Sequence, residues 1–260
     1  MTSTGPPMGA IARTTPSAGR ALSAQAALEV RLTLRRGENL VVTLGIPVVL
    51  LVFLAAVPTF GVDLEALVPG ILCLALISTG LVSLGIATAF ERGNGTLKRL
   101  AGSPLPRWAL LLAKAVAVAL TAVVQVLLIT IVAAVLGWAP PGGIPTALVA
   151  AAPWLLLGLL ASTGAGLLLA GLLRPEATLA VANGLYLLIL LMGGVIVPLD
   201  ALPAPIAAPA SVLPPALMAD LVRAATGASG SFEPWQAVGL LAWTVLFAVL
   251  ALLTFRVDEG

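Results

Sequence analysis

An all-α integral membrane protein with six transmembrane helices is predicted by three features of this sequence. Of its 260 residues, 60% are hydrophobic and only 9% are charged, against about a quarter charged in ordinary soluble domains. A mean hydropathy of +1.13 means more apolar surface than one water-soluble core can hide. The few charges are also clustered, leaving windows long enough to cross a ~30 Å hydrocarbon core as helices of about 20 residues.

The windows place spans at about 39–62, 66–90, 109–137, 146–173, 177–198 and 234–255, in one transmembrane domain of residues 39–255. The third and fourth share one long charge-free stretch, divided at Gly137-Trp138-Ala139-Pro140-Pro141-Gly142-Gly143, a turn no helix can traverse. An even count puts both termini on one side. Arg13, Arg20, Arg31, Arg35 and Arg36 precede span one, Arg92, Lys98, Arg99, Arg107 and Lys114 follow span two, and Arg174 and Arg256 lie on the same side. Of the 13 basic residues only Arg223 is opposite, beside Asp63, Glu65, Asp200, Asp220 and Glu233. Both termini are therefore expected in the cytoplasm. A bacterial inner membrane is the expected location, consistent with a composition dominated by Ala, Leu, Gly and Pro.

Ahead of span one, residues 1–38 read as a disordered leader, rich in Thr, Ser, Gly and Pro, followed by an interfacial amphipathic helix. Helical periodicity gathers Arg20, Arg31, Arg35 and Glu38 on one side, and Leu22, Ala26, Val30 and Leu34 on another. A solvated basic leader that only sets orientation is the plainer alternative. The first apolar run is longer than a signal h-region, so an uncleaved span is expected. Residues 256–260 form a short cytoplasmic tail.

Composition also excludes chemistry. With no histidine and one cysteine, Cys73, neither a histidine-containing triad nor a His or Cys metal cluster can be built. No G-x-x-x-x-G-K-[ST] phosphate loop occurs. Catalytic, cofactor-binding and metal sites are expected to be none, and so is an ATPase site. The net charge of +2 rests on too few residues to suggest nucleic acid. No ionisable residue falls at mid-span, which argues against a proton-coupled pump. Lys114 is expected to snorkel to the cytoplasmic surface.

Uncharged polar residues do enter the spans. Ser78, Thr79 and Ser83 lie on span two, Thr121 and Gln125 at i, i+4 on span three, and Asn183 with Tyr186 on span five. Hydrogen bonding between helices is the plain reading of each. Ser78, Ser83, Thr121, Gln125, Asn183 and Tyr186 are candidates for lining a solute path. Gly158, Ser162, Gly166 and Ala170 recur every four residues, a small-residue face for close packing within the protomer or across a dimer. The stretch from Pro198 to Pro234 holds seven prolines among apolar residues, and predicts broken helices that re-enter the membrane or lie at its external surface. Ala216–Thr226 is expected to be one of them, with Asp220 and Arg223 on a polar face. An interfacial plug without solute contact is the alternative.

After span two comes Glu91-Arg92-Gly93-Asn94-Gly95-Thr96-Leu97-Lys98-Arg99-Leu100-Ala101-Gly102-Ser103-Pro104-Leu105. Gly93 and Gly95 end the span, Thr96 caps a short helix, and Gly102 with Pro104 stops it. Leu97 and Leu100 give that helix an apolar edge.

This loop resembles that of the permease subunits of type-2 ABC exporters, roughly Glu-Arg-Glu-x-Gly-Thr-Leu-x-Arg-Leu, then Thr or Ser, Pro and Leu. Glu91, Arg92, Gly95, Thr96, Leu97, Arg99, Leu100, Ser103, Pro104 and Leu105 match, and Gly93 departs where the family often has a second glutamate. Met192-Gly193-Gly194-Val195-Ile196-Val197-Pro198-Leu199, with Leu202-Pro203 and Leu213-Pro214, resembles the family's end of span five and external hairpin. The resemblance implies that Glu91 through Leu105, Lys98 included, is a coupling helix docking into a separate cytoplasmic ATPase subunit. ATP and Mg would be held there, not in this chain. It further implies a homodimer, or a heterodimer with a related permease, in contact with membrane lipid and exporting a drug-like or lipid-like molecule. The apolar path with scattered hydroxyls suits an amphipathic or hydrophobic solute. A membrane anchor or immunity-type protein that recruits a partner without transport is the competing reading.

Overall fold

The computed structural model describes residues 37–56, 63–95, 107–197, 199–228 and 230–254. Every regular element among them is helical: α1 (Gly37–Ala56), α2 (Leu64–Gly93), α3 (Arg107–Val135), α4 (Ile144–Leu172), α5 (Pro175–Met192), α6 (Ala204–Ala210), α7 (Pro214–Thr226) and α8 (Pro234–Thr254), plus a single 3-10 turn, Leu199–Ala201. Five of them, α2, α3, α4, α5 and α8, are long and apolar enough to cross a membrane. Helix α1 has 20 residues, with an apolar described part over Gly45–Ala56. The protein is an all-α integral membrane protein. Of the interfacial helix expected over 20–38, residues 20–36 lie outside the described residues and Gly37 and Glu38 begin α1; the 57–62 end of the first window and the tail from 255 also lie outside them.

Alternate helices bring Glu91, Lys114 and Arg174 to one end of the bundle, the loop end. The Gly137–Gly143 turn and α6–α7 occupy the other, the hairpin end. At that turn Gly137, Gly142 and Gly143 have φ of +97, +77 and +85, which residues with a Cβ rarely adopt. Asp63 starts α2, its carboxylate accepting from the Glu65 amide at 3.2 Å.

Helix α2 is the centre, buried from Leu67 to Ile77. It is not uniform: Ser78–Leu84 winds as π-helix before the α-helix resumes at Gly85. The small residues of α4 meet this wider segment. A Cβ on Gly166 would fall on the carbonyl oxygen of Gly80, and one on Gly80 would stand 2.8 Å from the Thr163 amide nitrogen. Gly158 receives Met218 of α7, and Gly164 lies under Phe247 of α8. The face of Gly158, Ser162, Gly166 and Ala170 therefore packs inside the protomer, its glycines admitting α7 and α2, while Gly164 on another side of α4 admits α8.

One boundary differs from expectation, while the broken helices expected between Pro198 and Pro234 are present. Helix α5 stops at Met192, short of Pro198, because Gly193 caps it and Gly194 turns away at φ +69. Helices α6 and α7 form a broken pair bent by 83°. The bend is deep: Val212 accepts from the Trp243 indole at 2.8 Å midway along α8, and Met218 meets Gly158 midway along α4. From there α7 runs back until Gly227 reaches Pro141 in the hairpin-end turn. This is the geometry of a re-entrant segment, its backbone covered by α2, α4 and α8.

Candidate functional site

At the loop end α2 continues beyond its apolar core to Gly93, and its last turn carries two charges that both point into protein. Lys114 of α3 donates to Glu91 Oε2 at 2.5 Å, with the two side chains only 3% and 14% exposed. Lys114 does not snorkel as expected: the partner it reaches is a carboxylate on the neighbouring helix. Arg92 donates from both terminal nitrogens, to the Gly171 and Leu173 carbonyls, each at 2.6 Å. Those carbonyls close α4, where no further turn exists to satisfy them and the helix dipole is negative. A planar guanidinium spans two such oxygens where an ammonium could not.

Beyond Arg92, Gly93 sits against the Pro175 ring that begins α5, and Gly95 takes φ +69. The rest of the loop motif, Thr96, Leu97, Lys98, Arg99, Leu100, Ser103, Pro104 and Leu105, lies outside the described residues.

The candidate solute-path residues separate into distinct settings. In the π-helical segment Ser78 lies beside the half-buried Tyr186 of α5. The adjacent Thr79 donates to Gln125 Oε1 of α3 at 2.8 Å, and Gln125 is fully buried. Thr79 was grouped with its neighbours in the sequence but not singled out; only the π-helix, which no periodicity announces, turns two consecutive hydroxyls toward different helices. Thr121 bonds its own Ala117 carbonyl at 3.1 Å, so it does not act with Gln125. Asn183 likewise bonds Leu179 at 2.8 Å and faces outward. Ser83 is half-buried in α2. The structure thus joins Ser78 with Tyr186 and Thr79 with Gln125, and leaves Asn183 apart.

At the hairpin end, Arg223 of α7 is 4% exposed and donates to the Gly194 and Val195 carbonyls at 2.8 and 2.5 Å. Asp220 Oδ1 lies 3.4 Å from the same guanidinium. Of the expected polar face, Arg223 is turned inward and buried at the bundle's end while Asp220 stays partly exposed. The cause is related to that at Arg92: the left-handed turn at Gly194 ends the helical ladder, and the carbonyls of Gly194 and Val195 in the non-helical stretch after α5 take Arg223 as their donor. Of the hairpin residues, Leu199 packs on Gly194, Leu202 is half-buried, and Pro203 and Pro214 start α6 and α7, while Pro198 lies outside the described residues.

No group of His, Cys, Asp and Glu able to hold a metal ion occurs among the described residues. Exposed apolar faces lie on α1 (Ile46, Val49, Phe53), α5 (Leu187, Leu188, Leu191) and equally on α3, α4 and α8 (among them Val123, Ile131, Val149, Val238 and Leu253).

The sequence profile of the ABC-2 type transporter family matches residues 21–226, covering α1 through α7 and the whole loop motif. No curated protein matches the chain. With a match over most of its length and an all-helical membrane architecture, the chain belongs to the ABC-2 type transporter family, as a membrane-spanning permease component and not itself the ATPase.

Proposed function

We propose that this chain exports a small amphipathic or hydrophobic molecule across the bacterial cytoplasmic membrane, driven by ATP hydrolysis in a separate subunit. The observation that carries the reading is the family match together with the loop root: the motif begins on a helix end anchored to α3 and α4, where a push from outside the membrane has something rigid to act on. Thr96 through Leu105 dock into the ATPase, which binds ATP and Mg, and the termini are cytoplasmic on the same side. Two copies, or this chain and a related permease, meet through the apolar faces of α1 and α5. The solute passes between them, beside Ser78 and Tyr186.

The test is co-purification with a co-expressed ABC ATPase subunit, against a Leu97→Asp, Leu100→Asp double variant. Binding and membrane-dependent stimulation of ATPase, both lost in the variant, support the reading. Binding without any stimulation favours recruitment without transport. In proteoliposomes, uptake of an amphipathic dye and not of a strongly anionic one tests the solute class.

A further inference from the structure

Glu91 and Arg92 open the loop motif, yet neither is presented to a partner. Glu91 is nearly enclosed against Lys114, and Arg92 spends both terminal nitrogens on the closing carbonyls of α4. We infer that Glu91, Arg92 and Lys114 are a transmission joint: positioning residues that carry displacement of the ATPase-docking loop into α3 and α4, and not contacts with the ATPase. This rests on the permease reading above and specifies how its coupling element is rooted.

The mechanics follow from the bonds. Each arm is short and charge-assisted, so a shift of the α2 end drags its partner with it instead of sliding past. The Arg92 arm is two-pronged, fixing the orientation of the α4 end as well as its distance. Gly93 against Pro175 adds a steric stop at the start of α5. Gly95, with φ +69, is the first residue outside these restraints and holds a backbone conformation that residues with a Cβ rarely adopt. The small-residue contacts of α4 with α2 at Gly80 and Gly166 then make the two helices move as one body at mid-depth.

The experiment uses the full chain with its ATPase in lipid nanodiscs, comparing wild type, Arg92→Lys, Glu91→Gln, and the exchanged pair Glu91→Lys with Lys114→Glu. Recruitment and ATPase stimulation are measured separately on size-exclusion-purified complex. Expected are wild-type recruitment in all, about tenfold less stimulation in Arg92→Lys and Glu91→Gln, and recovery in the exchanged pair. Loss of recruitment in step with stimulation would make these residues ATPase contacts and overturn the inference; so would unchanged stimulation. If wild type itself fails to recruit the ATPase, the permease reading falls and takes the joint with it, an outcome the wild-type sample alone identifies.

Discussion

Each end of the bundle carries an arginine forked over two backbone carbonyls, at the close of α4 for Arg92 and in the turn after α5 for Arg223, yet the two forks sit in different surroundings. Arg92 at the loop end is half-buried, beside exposed Asn94, Arg174 and Glu176. Arg223 at the hairpin end is almost fully buried, in a re-entrant helix packed between α2 and α4, with its Nε lacking a partner. Removing the first fork exposes its carbonyls to a partly solvated surface, while the second lies where water does not reach. The hairpin end is therefore expected to depend on its arginine for stability, and the loop end to depend on its arginine for holding α4 in register with α2.

The largest expected effect breaks this comparison directly. Arg223→Met leaves two buried carbonyls without donors and should cost about 3–5 kcal/mol, whereas Arg92→Met should cost about 1–2. Thermal unfolding in detergent, followed by thiol-reactive dye reaching the buried Cys73, measures both; equal losses would dissolve the distinction. Next, Gly158→Leu drives a side chain into Met218 and should destabilise by about 1–3 kcal/mol. In contrast Gly184→Leu on α5, where a Cβ meets nothing within 4 Å, should leave the unfolding temperature unchanged. Trp243→Phe removes the donor to Val212 at the re-entrant bend and should cost about 0.6–1.7 kcal/mol. The smallest effect is expected for Asn183→Leu, within about 0.5 kcal/mol, since its amide bonds only its own helix in the described structure. A large loss of stability there would show that the α5 face is packed within one protomer.

How legible the molecule was follows from which interactions are local. Helices α3, α4 and α8 begin and end within two residues of the spans placed at 109–137, 146–173 and 234–255, because hydrocarbon thickness and turn glycines act on sequence directly. The end of α5 was misplaced because Val195, Ile196 and Val197 are as apolar as the span, and only the Gly193–Gly194 turn, closed by Arg223, stops the helix. Of the candidate path residues, position in a span was readable but partner was not: Thr121 and Gln125 share a helix face in sequence, and only Gln125 finds another helix. Lys114 misled for a related reason. A lysine near a membrane surface ordinarily reaches for water, unless a carboxylate on another helix lies closer.

Sequence alone determined the class of this protein: a lipid-solvated helical bundle without histidine chemistry or a phosphate loop, carrying a basic loop motif after its second helix. Those properties depend on composition and on spacing along one chain. The tertiary structure decided what the charges do. Glu91, Arg92, Lys114 and Arg223 looked like surface residues, and each is drawn inward by a charge or an open carbonyl on a different helix. Such pairings are set by where helix ends meet in space, in a medium that offers a polar group no other partner.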